Sequence, residues 1–126
     1  MKNIKIKMSQ QDIKGFMQLQ LKVLDYLRGQ ANAPAYVMSV MLEEYYNKLA
    51  DTVPYLYNKK EATISIGMHI IPAFAIGIEK TFNALDGYTK AIAIEVSSAI
   101  DAAVVADRGC RMRAVEFRQA KQKLIG

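Results

Sequence analysis

Residues 4–8 read "IKIKM" and residues 64–68 read "ISIGM". In the first stretch Ile4, Ile6 and Met8 point one way and Lys5 and Lys7 the other, the two-residue period of a strand with one buried face. The second repeats that spacing at Ile64, Ile66 and Met68, sixty residues later. Each stretch leads into a run with helical spacing. The layout predicts strand–helix–helix twice over, with the two strands pairing into a small ribbon and the second strand spanning 62–68. Three matching positions are weak evidence of duplication, because any strand with one buried face needs the same alternation.

Ser9 follows the first strand and Asp12 comes three residues later. A serine oxygen can accept from the first free helix amides, and an acid in the first turn suits the positive end of the helix dipole. A helix is expected over 10–27, with Ile13, Phe16, Met17, Leu24 and Leu27 inward and Arg28-Gly29 as its stop. Gly15 inside it costs about 1 kcal/mol relative to alanine. Pro34 suits the first turn of a second helix, which runs to about Ala50 with Met38, Leu42, Tyr45 and Leu49 on one face and Pro54 as its end. A polar loop is expected over 55–61.

A third helix is expected from near Pro72, with Phe74, Ile78, Phe82 and Leu85 as its stripe and Ala73, Gly77 and Ala84 as a small-residue face. Asp86-Gly87 reads as a turn and Thr89 as the cap of the last helix. "KAIAIEV" at 90–96 also alternates, so a strand competes there. The alanine-rich run through Ala106 favours helix. In that run Val96, Ile100, Ala103, Asp107, Cys110, Ala114, Phe117, Lys121 and Leu124 follow a 4-3 spacing, and Gly109 marks a stop or kink. Residues 91–106 are apolar nearly all round, which suits a central helix or one covered by a second subunit.

The fold class that follows is mainly α (α+β): four helices and a minor two-stranded ribbon, in the order β-α-α-β-α-α. No linker or low-complexity run divides residues 1–126, so a single domain is expected. A chain of 126 residues buries roughly two-thirds of its unfolded surface, enough for a core without disulfides or metal. The single cysteine, Cys110, cannot form an intrachain bridge. With an N-terminus unlike a signal peptide, this predicts a cytoplasmic protein. The uncharged run 62–78 contains Ser65, His69, Pro72 and two glycines. It reads as a buried strand leading into a buried helix, so a membrane role is not expected.

The net charge of +5 is unevenly placed. Residues 1–107 hold eleven basic and eleven acidic side chains, whereas 108–126 hold six basic and one acidic. On a helix Arg108, Arg111, Arg118 and Lys121 fall within an arc of about 140°, away from Cys110, Phe117 and Leu124. Asp107 stands at the favourable spacing to pair with Arg111. These four cations are the candidate contact for an anionic partner. Tyr55 and Tyr57, with Lys59 and Lys60 behind them, and Phe117 and Leu124 are candidate interface residues, because tyrosine offers contact area with a polar tip.

Chemistry is poorly marked. His69 is the only histidine and reads as a helix cap. Cys110 has arginine neighbours that lower a thiol pKa, but it lies on the packing stripe and reads as buried. There is no phosphate loop, dinucleotide fingerprint or serine elbow. No cofactor or metal is expected, and no catalytic residue can be assigned. Glu43-Glu44 and the pair Asp101 and Asp107 read as solvated positions. Three functional readings result. The first is a small non-enzymatic structural or interaction protein acting through self-assembly, as a homo-oligomer, or through a protein partner. The second is a sequence-tolerant nucleic-acid-binding protein using its basic C-terminal helix. The third is a cysteine-dependent enzyme. A compact domain without catalytic motifs also fits a phage or mobile-element setting, though no residue marks it.

Overall fold

The computed structural model describes residues 3–56 and 58–111, the last five by their backbone. The elements are β1 (Ile4–Ser9), α1 (Gln10–Arg28), α2 (Ala33–Leu56), β2 (Glu61–Ile66), α3 (Ile71–Thr81) and α4 (Gly87–Arg111). Short 3-10 turns, Met68–Ile70 and Phe82–Ala84, flank α3. This is the expected order, and residues 90–96 are helical.

β1 and β2 pair antiparallel, with Ile4 opposite Ile66, Ile6 opposite Ile64 and Met8 opposite Ala62. The inner face of the ribbon buries Ile4, Met8, Ala62, Ile64 and Ile66. Antiparallel pairing makes Ala62, not Met68, the counterpart of Met8. β2 therefore stops at Ile66, short of the expected end. Gly67 lacks a side chain to pack in a strand, and the Ile70 amide donates to its carbonyl at 3.2 Å, which starts the turn.

α1 begins as the sequence dictates. The Asp12 amide donates to Ser9 Oγ at 3.1 Å and the Ser9 amide donates to the Asp12 carboxylate at 3.3 Å, a reciprocal capping box. α1 then runs through the middle of the protein and touches α2, α3, α4 and β1. Two glycines make this possible. A Cβ on Gly77 of α3 would collide with Val23 of α1, and a Cβ on Gly15 of α1 would lie 2.7 Å from Tyr88 Cε1 and 2.8 Å from Ile92 Cγ1 of α4. Gly15 thus has a packing reason that outweighs its poor helix propensity. At the centre, Phe16 and Phe74 stack with centroids 5.5 Å apart, and Tyr45 meets both edge-on at 6.4 and 6.2 Å.

Several local expectations need correcting. α2 continues to Leu56, with Pro54 inside it. A proline in the last turn forfeits only one backbone bond, and Val53 and Leu56 pack against the core and hold that turn helical. The polar loop therefore starts later than expected. α4 is capped by Asp86, whose carboxylate accepts from the Thr89 amide at 2.7 Å. Thr89 itself is buried one turn inside. α3 ends at Thr81, so Ala84 leaves its small-residue face and is exposed. His69 lies in the 3-10 turn before α3 and makes no capping bond. Gly109 does not end α4, whose backbone stays helical to Arg111; about 1 kcal/mol for one glycine is too little to break a long helix.

Candidate functional site

The described part of the chain offers little to a reaction. No group of three or more metal-ligating side chains occurs among the described residues. His69 is exposed and borders a notch of about 90 Å³ with Met41, Glu44, Tyr45 and Lys48. The groups around it are already engaged. The Tyr45 hydroxyl donates to the Ser65 carbonyl at 2.8 Å, and burial pushes its phenol well above the usual range. Glu44 pairs with Lys48 at 3.2 Å and Glu43 with Arg28 at 3.0 Å. Glu43 and Glu44 are exposed, as expected, and each is also paired with a cation. A broader, polar groove lies at the start of α1, lined by Ser9, Gln10, Gln11, Lys14 and Lys60. Ser9 and Asp12 answer each other there through the capping box.

The exposed apolar surface is more informative. α4 buries Ile92, Ala93, Val96 and Ile100 against the core. Its opposite side carries Ala91, Ile94, Ser98, Asp101, Ala102 and Val105, all exposed. Ile94 is 55% and Val105 69% exposed. At 100° per residue these two lie about 20° apart around the helix, so they belong to one outward stripe. Of the two expectations for 91–106, a central helix or one covered by a second subunit, the first is not met, because the core covers only one side of α4. A second apolar patch lies at the start of α2, where Tyr36, Val37 and Val40 are exposed.

Tyr55 is 77% exposed, on the last turn of α2 instead of in a loop. Arg108 and Arg111 fall on the helical backbone of α4. Their side chains, and Cys110's, lie outside the described residues, as do Tyr57, Phe117, Arg118, Lys121 and Leu124 entirely. The sequence reading missed two surfaces. One is the outward stripe of α4, signalled by the 4-3-4 spacing of positions 94, 98, 101 and 105 alongside the inward 96, 100 and 103. The other is the outer face of the ribbon, where Lys5, Lys7, Thr63 and Ser65 are exposed. Its signal was the polar half of the same alternation that located the strands.

No helix among the described residues is long and apolar enough to cross a membrane. Comparison with protein-family models, with curated proteins and with solved structures gives no match to this chain.

Proposed function

We propose that this chain is a small non-enzymatic assembly protein that associates with a second copy of itself through the outward stripe of α4. The observation that carries this reading is the exposure of Ile94 and Val105 on a helix whose other face already fills the core. Exposed apolar residues are common when scattered. Here they share one stripe with Ala91, Ser98 and Ala102, whose small side chains allow close helix approach. A stripe of this kind is self-complementary, as a two-fold interface requires. Charge supports the same partner. Asp101 lies within the stripe and Glu95 flanks it, and the positive excess of the chain lies beyond residue 107. Two α4 helices laid antiparallel bring these unlike regions together.

The test is sedimentation and light scattering over a wide concentration range, with Ile94→Lys/Val105→Lys as the disrupting variant. The wild type is expected to associate as concentration rises, while the folded variant stays monomeric. A wild type that remains monomeric throughout rejects the reading.

A second reading, nucleic-acid binding through Arg108, Arg111, Arg118 and Lys121, is favoured by the charge distribution alone: all of the net +5 lies in 108–126. Such binding weakens steeply with salt as condensed counterions are released. A salt titration with Arg111→Glu/Arg118→Glu tests it.

A further inference from the structure

We infer that the outward face of the β1–β2 ribbon is a contact surface for double-stranded DNA. This goes beyond self-association and involves none of the same residues. It also names none of the residues of the basic C-terminal segment.

The shape comes first. The ribbon is two strands of six residues each, about 20 Å long. A two-stranded ribbon fits the major groove of B-form DNA, which is about 12 Å wide. Its inner face is anchored: Ile4, Ile64 and Ile66 are buried, and Tyr45 ties the Ser65 carbonyl to α2. No described element covers the outer face, where Lys5, Lys7, Thr63 and Ser65 all stand in solvent. The ribbon is therefore a platform fixed before it meets a partner, so little order has to be gained on contact.

The chemistry on that platform suits a polyanion with readable edges. Register sets Lys5 opposite Ser65 and Lys7 opposite Thr63, so each cation faces a hydroxyl. Lysine neutralises phosphate and donates to the guanine acceptors, and serine or threonine bonds to either phosphate or base. Lys5 and Lys7 have no acid within ion-pair distance among the described residues, whereas Glu43 holds Arg28 and Glu44 holds Lys48. Lys59 and Lys60 extend the positive field into the loop that enters β2. The one acid on the face, Glu61, stands at its far end opposite Ser9. Lysines on a two-stranded ribbon also discourage strand-to-strand aggregation. That purpose requires neither the facing hydroxyls nor the two lysines of the loop. B-form DNA is favoured over duplex RNA because the A-form major groove is too narrow and deep for side chains to read.

The experiment uses the full chain and anisotropy titrations at several salt concentrations. The probes are a mixed-sequence DNA duplex of about two helical turns, an RNA duplex of equal length and vesicles containing phosphatidylserine. Lys5→Gln/Lys7→Gln and Lys5→Glu/Lys7→Glu are compared with Arg111→Glu/Arg118→Glu, each checked for native melting by circular dichroism. DNA binding at low salt is expected, tighter than RNA binding. The glutamine pair should lower the slope of log affinity against log salt by about 2, and the glutamate pair should weaken binding about tenfold or more. The inference is overturned by absence of DNA binding at low salt, by equal or better RNA binding, or by binding to vesicles alone. It is equally overturned if the tail variant loses binding while both ribbon variants keep it, a result that leaves the tail reading standing. Should the glutamate pair fail to fold, the glutamine pair decides.

Discussion

α1 and α4 are the two helices whose sequences and surroundings disagree most. α1 spells "QQDIKGFMQLQLKVLDYLR", a polar-looking segment, yet it is enclosed by all three other helices and buries eight residues, including Gly15 and Gln20. α4 is the more apolar over 91–106, yet it buries one face and leaves Ile94 and Val105 in solvent. Burial thus follows the number of sides on which a helix has neighbours, not its count of apolar residues. A central helix can tolerate a glycine and a glutamine because contact comes from all round. A peripheral helix with surplus apolar residues has surface left for a partner.

The sharpest way to break this comparison is to cut into α1. Phe16→Ala removes the ring stacked on Phe74 and should cost about 3–5 kcal/mol in thermal or denaturant unfolding. A loss below about 1 kcal/mol would mean that α1 is not the centre of the core. Next comes the closest helix contact. Gly77→Ala drives a methyl into Val23 and should destabilise by about 1–3 kcal/mol, despite alanine's better helix propensity. Gly15→Ala should cost less, because its nearest approaches, 2.7 Å to Tyr88 Cε1 and 2.8 Å to Ile92 Cγ1, are looser than the clash of a Gly77 Cβ with Val23. A third change should act in the opposite direction. The buried Gln20 Oε1 finds no donor among the described residues, and its Nε2 reaches only the Phe16 carbonyl at 3.4 Å and Met17 Sδ at 3.6 Å. Gln20→Leu should therefore raise stability by about 1 kcal/mol, read as a higher melting temperature.

The α4 side yields smaller effects on folding. Hydrogen bonds from the Thr89 backbone and side chain hold the Asp86 carboxyl below the usual carboxylate range. Since the folded value is depressed, the stabilisation is present above the unfolded carboxylate pKa and is lost as pH falls through the folded one. Asp86→Asn keeps the cap but should flatten that acid-side loss, as melting curves at neutral and acid pH will show. Smallest of all, Ile94→Ala/Val105→Ala should shift stability by no more than about 0.5 kcal/mol, even though it weakens association. A large stability loss in dilute solution would place these residues in the core and undo the contrast.

The strands, the Ser9 cap and the order of elements were legible because each rests on short-range signals: strict alternation at 4–8 and 62–68, the last two residues of which leave the strand, and an acid three residues after a serine. Some of what failed was decided by contacts far away in sequence, and some by local backbone geometry. Pro54 reads as a stop until Val53 and Leu56 are seen to pack on the core. Gly15 reads as a defect until Tyr88 and Ile92 arrive from α4. Asp86 and Thr89 are both plausible caps by type, and only backbone geometry chooses between them. The candidate surfaces divide in the same way. Periodicity located the apolar stripes, but which side of α4 faces outward depends on where α1 lies. Tyr55, a candidate interface residue read as lying in a loop, is exposed on the last turn of α2.

The ribbon has a kinetic consequence. Pairing Ile4 with Ile66 closes a loop of about sixty residues, an entropic cost that must be met before any strand bond forms. Contacts so distant along the chain are slow to form, whereas the α1–α2 hairpin is local. The strand that is synthesised first should then be among the last elements to find its place, waiting until the helices bring residue 61 beside residue 9. The outer face of the ribbon should then be assembled only late in folding. Whatever binds there recognises a finished protein.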